Sequence, residues 1–111
     1  MRDWAKNQLG ISQILVRLRE LEQRADNTDG RLDALEHQVS STLGHFGNYK
    51  SRTAEELRLI KSQLSDMIAM AESLVLAAEH STAEEQRAKA ILRKLKNNRT
   101  RAQNAEMRLV A

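Results

Sequence analysis

The sequence predicts an all-α chain, elongated and organised as a parallel coiled coil, and three observations lead there. Leu (15) and Ala (14) supply most of the apolar stock, while Pro and Cys are absent and Gly occurs four times in 111 residues. Ala, Leu, Glu, Arg, Lys and Gln hold a helix best, and no residue type here breaks one repeatedly. From Trp4 to Tyr49 one heptad frame runs without a slip. Paired acidic and basic residues flank that frame at fixed positions. With one Trp, one Tyr and one Phe, a lone monomer has a thin core, and helical chains of this size commonly complete a core with copies or partners.

The first element is a helix over 4–49 within a segment 1–49. Position a falls on Trp4, Ile11, Leu18, Ala25, Leu32, Val39 and Phe46, and position d on Asn7, Ile14, Leu21, Thr28, Leu35, Thr42 and Tyr49. Spacings of three and four residues put these on one stripe, and a sustained 3.5-residue period implies left-handed supercoiling. In this frame Arg17, Arg24 and Arg31 occupy g, and Glu22, Asp29 and Glu36 occupy the following e. In a parallel coil each g faces the next e of its neighbour, so the three Arg–acid combinations predict parallel, in-register association. Polar Asn7, Thr28 and Thr42 at d fix register at a cost in stability. The cluster Asp26-Asn27-Thr28-Asp29-Gly30 is turn-like, but frame and charges continue through it, which predicts a locally weak, unbroken helix.

Two stretches, Arg17-Leu18-Arg19-Glu20-Leu21-Glu22 and Arg31-Leu32-Asp33-Ala34-Leu35-Glu36, share a spacing of Arg, apolar, two free residues, apolar, Glu. They resemble the trimerisation pattern of parallel three-stranded coiled coils in viral and phage fibre proteins. The polar residues at d resemble the axial layers of such stalks. The resemblance implies a homotrimer in preference to a dimer, held by Ile11, Ile14, Leu18, Leu21, Leu32, Leu35, Val39 and Phe46. It also implies that Arg17, Glu22, Arg24, Asp29, Arg31 and Glu36 set its number and direction, and that the setting is a virion or phage particle.

Gly44-His45-Phe46-Gly47-Asn48-Tyr49 is the more credible interruption, and whether the chain bends back there is open from the sequence. Thr53 with Glu56 forms a capping box for a second helix within 50–81. Its stripe is Leu57, Ile60, Leu64, Met67, Ala71, Leu74, Ala78 and Ser81. Ile68, Met70, Val75, Leu76 and Ala77 lie beside that stripe, so the segment needs a second neighbour, either a broader core or a partner protein. Ser81 with Glu84, or Thr82 with Glu85, caps a third helix in 82–111. Its stripe continues through Ala88, Leu92 and Leu95, and Asn97-Asn98 offers a C-cap, after which the end frays or is ordered by a partner.

Charge divides the chain. Residues 1–50 hold 7 basic and 7 acidic residues, 51–86 hold 3 and 7, and 87–111 hold 8 and 1. A basic end meets an acidic protein face, a nucleic-acid backbone or anionic lipid. Arg87, Lys89, Arg93, Lys94, Lys96, Arg99 and Arg101 are therefore candidate partner-binding residues. Nucleic acid bound through 87–111 would be read without sequence preference, because the segment lacks aromatics for stacking.

Catalytic chemistry finds no footing. His37, His45 and His80 lack ligand spacing, no Cys exists, and Ser and carboxylates show no triad or paired-acid arrangement. No Gly-rich phosphate loop is present. Neither an enzyme nor a cofactor or metal is expected. There is no secretory leader and no apolar run long enough to span a bilayer, so the expectation is synthesis in a cytoplasm, with incorporation into a particle assembled there. The function expected is structural: an oligomeric spacer, fibre or plug component that joins another structural protein. The alternatives are a scaffolding factor that binds a coat protein through the basic helix, and a nucleic-acid-binding protein.

Overall fold

The computed structural model describes residues 2–41, 46–78 and 82–110, with side chains of the first helix described from residue 13 onward. The chain folds as three helices, α1 (Arg2–Ser40), α2 (Gly47–Ala77) and α3 (Thr82–Val110), in a bundle 64 × 17 × 16 Å across. No strand occurs among the described residues.

The chain turns back between α1 and α2. Ser41 closes α1, its N–H donating to the His37 and Gln38 carbonyls and its hydroxyl to Gln38. Phe46 is extended, and Gly47 then takes φ +52° before α2 proceeds. A left-handed φ at that point is a glycine conformation. The first helix therefore stops at Ser40 and does not reach residue 49. Phe46 and Tyr49 are 63% and 62% exposed and do not extend the α1 seam. Thr42, Gly44 and His45 lie outside the described residues. Thr53 does not cap α2 but sits buried within it, its Oγ1 2.8 Å from the Tyr49 carbonyl and 3.1 Å from Gln38 Oε1 on α1. A Thr inside a helix returns its hydroxyl to a carbonyl one turn back. The helix is unbroken through Asp26–Gly30, as the charge frame predicts.

The heptad stripes form the core. Leu18, Leu21, Ala25, Leu32, Leu35 and Val39 of α1 are at most 3% exposed within the single chain. They join Leu57, Ile60, Leu64, Met67, Ala71 and Leu74 of α2, and Ala88, Ile91, Leu95, Ala102, Ala105 and Leu109 of α3, in one cluster. Ile14, Val75 and Leu92 pack on its edge. Ile68 is buried as well, so part of α2's wide apolar face serves a broader core. The side chains of Trp4, Asn7 and Ile11 lie outside the described residues.

α3 runs on past Asn97 and Asn98. Asn98 is not a cap but a buried core residue, and the stripe continues at Ala102, Ala105 and Leu109. Direction follows from cross-helix pairs. Arg24, Arg31 and Gln38 of α1 meet Met70, Gln63 and Thr53 of α2, so these helices are antiparallel. Glu22, Asp26 and Glu36 meet Arg87, Lys94 and Arg101, so α1 and α3 are parallel. The architecture is an up-down-up bundle.

Candidate functional site

The charged rows lie on the two flanks of α1, and the structure treats them differently. On the flank beside α3, Glu22, Asp29 and Glu36 face Arg87, Lys94 and Arg101. The α3 stripe of Ala88, Ile91, Leu95 and Asn98 makes these three bases g positions. Each then meets the following e of a parallel neighbour, the geometry the sequence predicts with Arg17, Arg24 and Arg31 as the basic half. The basic half comes instead from α3 of the same chain.

Arg87 makes a two-pronged contact with Glu22, with Nη2 donating to Oε2 at 2.9 Å. Paired carboxylate and guanidinium geometry is well matched for this. The Arg87 hydrogen bonds hold the Glu22 carboxyl below its ordinary pKa, and Arg87 is raised in return. Lys94 pairs with Asp26 and lies 3.6 Å from Asp29, and the Asp26 contact raises its pKa. Arg101 is the hub of the ladder. Its guanidinium bridges Asp29 (2.7 Å), Asp33 and Glu36, and Glu36 first among them pushes its pKa further up. Arg108 ends the row with a hydrogen bond to Ser40 Oγ at 3.0 Å.

Between α2 and α3, Glu106 pairs with Lys61 and lies 3.5 Å from Arg58, and the Lys61 hydrogen bond depresses its pKa. Lys61 also donates to Gln103 Oε1 at 2.7 Å. A polar groove of about 440 Å³ opens beside them, lined by Lys61, Ser62, Ser65, Arg99, Thr100 and Gln103.

The flank of α1 beside α2 is different. Arg24 Nη1 reaches Met70 Sδ at 3.5 Å, and Arg31 Nη1 donates to Gln63 Oε1 at 2.9 Å. Among the described residues, neither these nor Arg17 makes an ion pair. Beside them is a groove of about 510 Å³.

The basic residues of α3 thus divide. Arg87, Lys94 and Arg101 are engaged by α1, and Lys89 pairs with Glu85 one turn away. Arg93, Lys96 and Arg99 are exposed without an ion pair among the described residues. Of the apolar candidates on α2, Met70 and Leu76 are exposed, Ile68 belongs to the core and Val75 packs on its edge. Sequence reasoning missed Asn98 as an interior residue. Among the described residues its buried amide nitrogen has no partner, and its oxygen accepts a 3.4 Å contact from Arg101. Thr28 is buried at a level within the α1–α3 register, since paired residues are 65 to 72 positions apart. Its hydroxyl donates to the Arg24 carbonyl at 2.8 Å.

Among the described residues, no three His, Cys, Asp or Glu side chains gather as a metal site, and no helix is long and apolar enough to cross a membrane. No family model matches the chain, and neither a curated protein nor a solved structure is similar to it.

Proposed function

We propose that the protein is a non-enzymatic structural and assembly protein, a stiff helical spacer that joins other proteins of a larger assembly. The resemblance of its two Arg-to-Glu stretches to fibre coils makes a viral or phage particle the proposed setting. The observation that carries the reading is the split surface of the rod. Its interior is closed and α1 and α3 are joined by a ladder of ion pairs, while Leu59, Met70 and Leu76 on α2 stay exposed together with cations that have no ion pair among the described residues. A particle purified from the native source and sedimented under high salt tests this. A fixed number of copies per particle is expected, and a chain recovered only in the unsedimented fraction refutes the reading.

Self-association is part of the proposal in one form. Leu18, Leu21, Leu32 and Leu35 serve either closure within one chain or a parallel homotrimer, and one seam cannot do both at once. The pairing of Glu22, Asp29 and Glu36 with α3 favours closure within the chain. Sedimentation equilibrium decides: the 12.6 kDa monomer mass supports closure, and about three times that mass supports a trimer formed by opening the bundle.

A second reading, contact with an acidic coat surface or a nucleic-acid backbone, is favoured by Arg93, Lys96 and Arg99. Deleting 87–111 would not test it, because that segment carries Leu95, Ala102 and Leu109 of the core. The triple change Arg93→Gln, Lys96→Gln and Arg99→Gln leaves the interior intact. Under this reading it weakens duplex binding and flattens its salt dependence; unchanged binding, or none by the parent chain, disposes of the nucleic-acid form.

A further inference from the structure

α1 carries two rows of charge at seven-residue spacing, and only one is answered. On the α3 side each carboxylate of Glu22, Asp29 and Glu36 meets a base. On the α2 side Arg17, Arg24 and Arg31 stand about 10.5 Å apart along the helix, and α2 offers them Met70 and Gln63 but no carboxylate. All three arginines are exposed. An arginine left without an acid partner is fully available to a carboxylate from outside, and the planar guanidinium suits one bidentately.

The arginines also border an apolar recess. The groove of about 510 Å³ between α1 and α2 is lined by Arg17 and Arg24 together with Leu21, Met70, Leu74 and Ala77. Met70 is 47% exposed there. Its unbranched thioether adapts to an incoming side chain. Glu20 is the single carboxylate among the lining residues, so the two arginines outweigh it and Arg31 extends the positive row by two turns. Apolar lining flanked by charges at heptad spacing is the arrangement that α3 already fills on the other flank, with the signs exchanged.

From this juxtaposition we infer that the α1–α2 groove docks an acidic amphipathic α-helix of a partner protein. That helix places apolar side chains on Met70 and Ala77, the exposed apolar part of the lining, and sets carboxylates at seven-residue spacing against Arg17, Arg24 and Arg31. The complex is a four-helix bundle with the partner as the fourth helix. Charge complementarity selects the occupant. A second copy of this chain is a poor donor, because the α1 carboxylate rows Glu22–Asp29–Glu36 and Asp26–Asp33 are already met by α3, and no three of the acids in 51–86 recur at seven-residue spacing. The inference deepens the assembly reading by naming the partner's chemistry, and it rests on that reading for its biological sense.

The test uses the full chain and two synthetic helical peptides about four heptads long, long enough to hold a helix on docking. Both carry Leu at a and d; one has Glu along the flanking row and the other Lys. Binding is followed by fluorescence anisotropy at low and high salt. The Glu peptide is expected to bind at least about tenfold tighter than the Lys peptide, the gap closing at high salt as exposed charges are screened. The combined change Arg17→Glu, Arg24→Glu and Arg31→Glu is expected to reverse the preference while the chain stays folded, since these exposed residues make no ion pair among the described residues and give up only the Arg24–Met70 and Arg31–Gln63 contacts. Equal binding of both peptides, no binding of the Glu peptide, or an unreversed preference in a folded triple variant overturns the inference. Sedimentation equilibrium of the chain alone adds a further check: a salt-sensitive dimer abolished by the triple variant assigns the groove to a second copy and overturns the partner helix. The two readings fail separately. A chain that cosediments with a particle but ignores the Glu peptide keeps the assembly reading and loses the groove, whereas the converse pair of results loses the assembly reading alone.

Discussion

Replacing Leu32 with Ala tests whether one chain closes its own core. Leu32 is fully buried at position a of α1 and belongs to a core cluster drawn from all three helices. Truncation of a fully buried Leu removes transfer free energy and leaves a cavity, a loss of about 3 kcal/mol with a range of about 2.7–5. For 111 residues the unfolding entropy is about 0.23 kcal/mol/K, so Tm is expected to fall by about 13 °C. The assay is far-UV circular dichroism melting of the parent and Leu32→Ala over roughly a hundredfold range of protein concentration. In a closed monomer the drop is present at every concentration and neither Tm moves with dilution. A seam shared between chains makes both melting temperatures rise with concentration, because association is then part of folding. Such a rise, or a loss below about 1 kcal/mol, would refute closure of the seam within the chain.

Three further outcomes follow from the polar contacts. Asn98→Leu removes a buried, unpartnered amide donor and is expected to raise stability by about 1–3 kcal/mol, read from the urea midpoint; a lowered midpoint would show that the amide has a partner. Arg101→Met keeps the aliphatic stem but ends the bridge to Asp29, Asp33 and Glu36, with an expected loss of about 1 kcal/mol at low salt that shrinks at high salt. The acid limb comes from Glu22 and Glu106, whose carboxyls are lowered below 4.5 in the fold by Arg87 and Lys61. The unfolded chain binds those protons first, so their stabilisation is complete above pH 4.5 and disappears as pH falls through the folded values. Urea midpoints from neutral to acid pH should therefore decline on that limb, and Glu22→Gln should flatten it; an unchanged limb in that variant would remove Glu22 from the account.

The interior of α1 and α2 is legible in the sequence because large Leu, Ile and Met side chains mark it. The α2 stripe from Leu57 to Ala78 is buried as read. Gly30 is no break because its position is open: a Cβ there would meet nothing within 4 Å, so the turn-like cluster costs helix propensity alone. The end of α3 is harder to read. Its core residues there are Ala102 and Ala105, too small to stand out between Arg99, Arg101 and Asn104, and Asn98 is a residue type favoured at helix ends. The charged ladder is legible only in part. Seven-residue spacing of acids at 22, 29 and 36 announces a parallel basic neighbour, but the same spacing occurs twice among the bases, at 17, 24, 31 and at 87, 94, 101. A heptad pattern records which faces meet and says nothing about the covalent connection between them. Here two reversals settle it, one between α1 and α2 and one between α2 and α3, which together bring α3 back parallel to α1.

The ladder by itself leaves the register of α3 poorly determined. A slide of α3 by one heptad would place Arg87 beside Asp29 and Lys94 beside Glu36, preserving two of the three pairings between rows. The apolar layers oppose the slide: in the observed register Leu18, Ala25 and Leu32 at position a are level with Ala88, Leu95 and Ala102, and the slide would set Ala25 against Ala88 and Leu32 against Leu95, a void beside an overfilled layer. Two polar features oppose it as well. Arg101 would leave Asp29, Asp33 and Glu36 for the turn beyond Ser40. Asn98, now level with Thr28, would move to the level of Leu35. Burying the Asn98 amide among larger apolar groups, away from the other polar layer residue, adds to a desolvation cost already incurred. A polar core layer selects register at the expense of stability in coiled coils, and the level shared by Thr28 and Asn98 is where such selection would act in this chain. Asn98→Leu should then be both more stable and less singular, with one of the terms against the slipped register removed. A distance between one spin label on α1 and one on α3 reads this directly: a single distance in the parent, with a second population about 10.5 Å of axial displacement away in the variant. One sharp distance in both proteins would assign register to the apolar layers, the charges and the loops instead.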